Sequence, residues 1–205
     1  MGGSSRDGTH KALYFLGSLA EMAIRLPHER RRRQTRMAVE RVDAFEQLLV
    51  GLVLVGMVLV LFVYAFTPGL DRADYRSSPE TRGRADVVGM AILAAALWLF
   101  WGSHTDLDRN WSPSLQLREE HQLVTEGVYR SIRHPMYASQ WLWSVAQPLL
   151  LQNWIAGWAG LLFLPLYFLR VPREEQMMLD EFGEAYRAYM GRTGRIVPRL
   201  EGRGA

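Results

Sequence analysis

Along the chain, apolar and charged positions are sorted into blocks. Residues 47–66 hold 20 consecutive positions without a charge, most of them Leu, Val, Phe or Met. Residues 87–105 hold 19 more, with Trp98 and Trp101 near the end, and residues 136–169 hold 34. A run of about 20 apolar residues crosses a bilayer as one helix. As a single helix the third block would measure about 51 Å, against a hydrocarbon core of about 30 Å. It therefore predicts a hairpin, roughly 136–151 and 154–169, turning at Gln152-Asn153. Pro148 and Pro165 would bend its arms. The pattern predicts an all-α, multi-pass transmembrane helical protein of about four spans, including a C-terminal helical hairpin. Two polar segments, 106–135 and 170–205, then fall on the same side of the membrane.

The N-terminal region reads differently. Leu13, Leu16, Ala20, Ala23 and Ile24 share one helical face, which predicts a helix lying in the membrane interface. Glu21 and Arg25 interrupt it, so it is not a signal peptide. Between Arg25 and Val42 there are 7 Arg, including the run Arg30 to Arg33, whereas the 67–86 loop balances 4 Arg with 4 acids. Basic residues collect on the cytoplasmic side of spans. The N-terminus is therefore predicted cytoplasmic and, with four spans, the C-terminus as well. The chain divides into a cytoplasmic amphipathic and basic segment, 1–43, and a membrane domain, 44–205. High Arg usage against a single Lys, Lys11, points to a bacterial inner membrane.

Composition alone hides this order. A mean hydropathy of −0.07 would pass for a soluble protein, but it averages two opposed populations. A net charge of +3 is too small to argue for nucleic acid. The absence of cysteine excludes a thiol nucleophile and Cys-ligated zinc or iron–sulfur centres.

The chemistry-bearing residues lie in the two polar segments. The first runs from His121 through Leu123, Val124, Thr125, Gly127, Tyr129, Arg133, His134 and Pro135 to Tyr137. Leu123 to Thr125 reads as extended, and Gly127 permits a turn. Pro135 suits the first turn of the third span. That helix start, beside Arg133 and His134, would favour an anion such as a ligand carboxylate. The second segment holds Arg170, Glu174, Glu175, Phe182, Gly183, Tyr186, Tyr189, Arg192 and Pro198. If the helix continues through Pro172, Arg170 and Glu174 share a face at the membrane edge. Phe182, Tyr186 and Tyr189 form an aromatic stripe that reads as packing. No dinucleotide loop, P-loop, zinc-protease or serine-hydrolase motif is present. His104-x-Asp106-x-Asp108 reads as a solvated loop, and no metal centre is expected.

Together the segments read H-x-L-V-T-x-G-x-Y-x-x-x-R-H-P-x-Y, an uncharged hairpin, then E-E-x-x-x-x-x-x-F-G-x-x-Y-x-x-Y-x-x-R and a late Pro. Over residues 85–199 this resembles the isoprenylcysteine carboxyl methyltransferase family of integral-membrane methyltransferases. The resemblance implies S-adenosyl-L-methionine as cofactor and, within 44–205, a methyltransferase domain whose cofactor-binding segments are cytoplasmic. It implies cofactor contacts at His121, Leu123, Val124, Gly127, Tyr129, His134, Pro135, Tyr137 and Glu174, with Gln116 as an approximate match further upstream. It implies a substrate-side role for Arg170 and catalytic roles for Arg170, Arg133 and Glu174. The partners it implies are the lipid bilayer and a lipophilic small-molecule or prenylated acceptor. Many members carry Gly two residues after the last Tyr of the first motif, where this chain has Ser139. The competing readings are an NADPH-dependent membrane reductase of sterol-reductase-like type and a non-catalytic lipid-binding membrane protein.

Overall fold

The computed structural model describes residues 4–32, 37–40, 44–107, 116–118 and 122–199. Its elements are α1 (Ser4–Arg32), β1 (Met37–Glu40), α2 (Ala44–Phe66), α3 (Pro79–Leu107), β2 (Gln116–Arg118), α4 (Pro135–Leu151), α5 (Trp154–Trp158), α6 (Leu164–Phe182) and α7 (Glu184–Arg192). Short 3-10 turns precede α3 and α4, and another joins α5 to α6. The architecture is the expected helical one, with one addition. β1 and β2 pair as a short antiparallel ladder, with Glu40 opposite Gln116.

Three helical stretches among the described residues are long and apolar enough to cross a membrane: Gln47–Phe66, Pro79–Leu107 and Trp154–Phe182. They mark an integral membrane protein. The expected fourth, α4, has 17 residues, the lower limit for a span. α2 carries its apolar side chains outward, with Leu52, Val55, Val58 and Leu59 all more than half exposed, as lipid contact requires.

The hairpin turns where expected, at Gln152-Asn153. Gln152 adopts a left-handed conformation (φ 50°) and closes α4 by donating its N–H to Pro148 O. Asn153 then starts α5, its side-chain oxygen accepting from the Ile155 and Ala156 N–H groups. The second arm is less regular than expected. α5 gives way to a 3-10 turn over Ala159–Phe163 before α6, which runs on through Pro172 to Phe182.

α3 and α4 pack most extensively. Ala96 and Ala146 are fully buried between larger neighbours, so the backbones approach closely, as small residues allow inside a membrane. Leu93, Trp143, Leu150, Leu151, Tyr64 and Ala156 complete this core. Tyr14 of α1 belongs to it as well, with 1% of its surface exposed. The N-terminal segment is thus bound to the rest through α1, with Tyr14 in the core, and through the β1–β2 ladder. Leu16, on the apolar face expected of α1, points outward from the bundle, and the inner face of α1 is set by Tyr14 and Gly17.

Candidate active site

The site forms where the start of α4 meets the second half of α6 and the turn after α7. Pro135 occupies the first helical position of α4, where its missing N–H costs no hydrogen bond. This fixes His134 as the residue just before the helix. On α6, Glu174 and Glu175 are neighbours in sequence and about 100° apart around the axis, so their carboxylates reach different partners.

Glu175 is the buried member, with 5% of its side chain exposed. It accepts from Arg133 Nε and Nη2, both at 3.1 Å. Arg195 binds it too, from Nη2 at 2.7 Å and from Nε at 3.1 Å. His134 Nε2 lies 3.4 Å away. Arg133 Nη1 turns to the carbonyls of Met190, at 3.2 Å, and of Thr193. Paired and hydrogen-bonded on all sides, this carboxylate meets the condition under which a buried charge persists.

Glu174 is the open member, with 23% of its side chain exposed. The Tyr137 hydroxyl donates to it at 2.7 Å, and His134 Nδ1 lies 3.5 Å from its other oxygen. The imidazole therefore sits between two acids. Burial alone would discharge it, but the hydrogen bonds and charges of Glu174 and Glu175 outweigh burial and hold its pKa above the ordinary value of 6.5. The Tyr137 ring packs edge-on against Tyr167, which packs in turn against Trp141.

Two expectations change here. The Arg133 side chain, expected beside the helix start to meet a ligand anion, faces inward to Glu175, and the N–H groups of Arg133 and His134, which precede the helix, donate to Gly194 O and Arg195 O, both at 2.8 Å. Nor is 104–106 a solvated loop: His104 is fully buried, and Asp106 Oδ2 accepts from the Val128 N–H at 2.8 Å. That bond fastens the Gly127 turn. Gly127 has φ +57°, and a Cβ there would collide with the Asp106 carboxylate, so both backbone and space demand glycine.

The remaining expected residues are spread around this centre. Arg170 lies one helical turn before Glu174 on α6 and is half-buried. Leu123 and Val124 are half-buried in an irregular stretch before Gly127. Tyr129 is a buried joint: its hydroxyl donates to Ser103 O at 3.4 Å and its carbonyl accepts from Tyr189 OH at 2.6 Å. Burial, reinforced by nearby Tyr189 and Glu174, pushes its phenol well above the usual value, so it stays neutral. Tyr186 and Tyr189 are buried, as a packing stripe should be. Ser139 is buried and donates to Met136 O at 2.8 Å. Gln116 sits in the ladder opposite Glu40, and His121 lies outside the described residues. Beside these lies a polar cavity of about 590 Å³, lined by Thr125, Glu126, Gly127, Arg130 and Arg192. That volume suits a small-molecule ligand.

Sequence reasoning missed Glu175 as the hub, Arg195 and Thr193 as its supports, and Asp106 as the clamp. An acid doublet facing an Arg-His doublet was the available signal for the first of these. Nothing local announces Arg195.

Residues 87–180 match the sequence profile of the isoprenylcysteine carboxyl methyltransferase family. This stretch carries the ICMT signature. It contains α3, the R-H-P segment, the hairpin and Glu174-Glu175. Relatives of the ICMT segment are named protein-S-isoprenylcysteine O-methyltransferases. One from Dictyostelium discoideum is 37% identical over 87 residues, 40% of this chain and 35% of the relative. Form A from Arabidopsis thaliana is 34% identical over 113 residues, 55% of each chain. The Homo sapiens protein is 35% identical over 85 residues, 41% of this chain and 30% of the relative. The chain thus spans 30% to 55% of the length of these relatives. Its fold is similar to that of the eukaryotic intramembrane Ras methyltransferase ICMT. That match has a TM-score of 0.50 at 23% identity and covers 81% of this chain and 56% of the other.

Proposed function

We propose that this protein is an S-adenosyl-L-methionine-dependent methyltransferase acting on a lipophilic acceptor at the membrane, with a prenylated cysteine carboxylate as the acceptor class its relatives' names suggest. The observation that carries the reading is the Tyr137–Glu174–His134 cluster. It sets one half-open carboxylate and one phenol at the edge of the membrane, inside the ICMT segment.

The residues present suit the cofactor. Glu174 is an acceptor for its ammonium or ribose hydroxyls. Leu123 and Val124 offer an apolar wall to adenine, and the neighbouring polar cavity has room for a ligand of this size. When bound, S-adenosyl-L-methionine supplies a methyl group on a sulfonium. An acceptor carboxylate takes that methyl as the carbon–sulfur bond breaks, and no proton has to leave the acceptor. The chain therefore needs no general base. Its work is alignment and exclusion of water. Glu174 and Tyr137 hold the donor side. Arg170, one turn earlier on α6, orients the anionic acceptor arriving from the lipid side. Arg133, Glu175 and Arg195 keep the cluster in place.

The test uses purified protein in detergent, methyl-labelled cofactor and a panel of prenyl-cysteine, lipid and thiol acceptors. A labelled methyl ester of a prenyl-cysteine is the expected product. Binding of NADPH without binding of S-adenosylhomocysteine would overturn the reading.

A further inference from the structure

The expectation for α1 was a helix lying flat in the interface, outside the membrane bundle. Its contacts describe another placement. A Cβ at Gly17 would lie 3.0 Å from Leu93 of α3 and 3.4 Å from Trp143 of α4. Both partners sit near the middle of their helices. Eleven residues further along each helix, the His28 ring meets His104, with centroids 5.2 Å apart. α1 therefore runs parallel to α3, residue for residue. Against α4 it runs the other way. Trp143 Nε1 donates to Tyr14 OH at 3.1 Å, and Gln140 Nε2, nearer the start of α4, donates to Glu21 Oε1 at 2.8 Å. At the far end, Lys11 Nζ sits 4.3 Å from the Tyr64 ring centroid, and Tyr64 OH donates to Leu151 O at the close of α4.

These contacts place Lys11 level with one end of α4, and Arg25 and His28 level with the other. Between Lys11 and Arg25 the only charged residue is Glu21, and Gln140 satisfies it inside the bundle. Basic side chains at the two ends of an apolar stretch, on a helix packed along α3 and α4, fit a helix seated across a membrane. The outward face agrees. Leu16, Leu19 and Met22 are 58–60% exposed and form a stripe alongside α1's buried face.

We propose that α1 is a further membrane-crossing helix, with its Leu16–Leu19–Met22 stripe against lipid acyl chains and its N-terminal end on the face opposite the Tyr137–Glu174 site. This reverses the orientation expected for the N-terminus and keeps the basic signal intact. Arg30 to Arg32 close α1 at the end that lies beside His104, on the site's side, where a basic cluster marks the cytoplasmic face. The arrangement holds whatever reaction the site performs.

The absence of native cysteine makes the test direct. The full chain is placed in sealed membrane vesicles of both orientations as Ser4→Cys or Glu184→Cys, and each variant is treated with a membrane-impermeant maleimide. Glu184 is exposed on the site side. The two cysteines are expected to label in opposite vesicle orientations, and labelling in the same orientation would overturn the crossing. Thr9→Cys repeats the measurement if Ser4→Cys does not accumulate. A bimane fluorophore on Leu19→Cys reads the stripe. Quenching by phosphatidylcholine with brominated acyl chains is expected. Quenching by aqueous iodide would return the stripe to water, and protection from both quenchers would assign it to a second copy of the chain. Either result overturns the lipid contact.

Discussion

The two ends of the α4–α6 hairpin are both fastened by polar side chains, and they are fastened differently. At the turn, Asn153 is fully buried and every side-chain polar atom has a partner. Its oxygen caps α5, and its nitrogen donates to Leu70 O and Asp74 Oδ1, both at 2.8 Å. Gln152 donates to Asp86 Oδ1 at 2.9 Å, and its carbonyl accepts from Tyr75 N–H at 2.7 Å. Amides make most of this joint, and it ends on itself. At the other end the joint is ionic. Glu175, Arg133, His134 and Arg195 close the inner layer, while Glu174 and Tyr137 remain at its edge, half open. Both ends carry carboxylates, but at the turn Asp74 and Asp86 accept from the Asn153 and Gln152 amides, whereas Glu174 and Glu175 face a phenol, an imidazole and two guanidinium groups. That concentration of opposite charge is why the chemistry is proposed at the site end.

The largest expected effect comes from breaking the inner ionic layer. Glu175→Ala would leave Arg133 buried without its carboxylate and should cost about 3–5 kcal/mol of stability. Thermal unfolding in detergent would show it, and an unchanged transition would contradict the anchoring role. Glu174→Gln is the counterpart on the neighbouring residue. It should move that transition far less than Glu175→Ala, yet weaken S-adenosylhomocysteine binding by roughly 1.5–3 kcal/mol, the range for a hydrogen bond to a charged group. Titration calorimetry reads this directly. Equal effects of the two substitutions on stability would erase the distinction between inner and open carboxylate.

The amide end should respond more mildly and only in stability. Asn153→Ala removes the α5 cap and should cost about 1–2 kcal/mol, with cofactor affinity unchanged. Lost affinity in this variant would mean that the two ends are coupled.

This contrast also explains what the sequence made legible. The spans, the hairpin turn at Gln152-Asn153 and the Pro135 helix start follow from periodicity, length and backbone restriction, all of which act locally. The pairing of the two polar segments was also visible, because a residue pattern linked them. The helix placement of α1 was not. Its apolar face reads as Leu13 and Leu16, yet the bundle takes Tyr14, Gly17 and Glu21, whose suitability depends on Leu93, Trp143 and Gln140 more than a hundred residues away in two of three cases. The division of labour between Glu174 and Glu175 was hidden for the same reason. It is set by Arg195, which arrives through the backbone pairing of Gly194 with Ser131 and Arg133.

The last prediction separates the two joints by pH. His134 faces Glu174 and Glu175 from α6, Arg133 beside it, Arg195 from the turn after α7 and the Tyr137 ring one helical turn along. Burial disfavours its charged form, but the two carboxylates prevail, and its folded pKa lies above 6.5. A raised pKa means that folding favours the imidazolium. The stabilisation is therefore complete below about pH 6.5 and fades as pH rises through the folded value. Thermal unfolding followed from about pH 6 to about pH 9 should show stability falling over that interval, and His134→Gln should flatten the fall. Glu174→Gln, which removes one of the two charges raising that pKa, should move the fall to lower pH. Asn153→Ala should lower the whole curve without changing its shape. An identical pH slope in wild type and His134→Gln would place the proton elsewhere and remove the imidazole from the ionic joint.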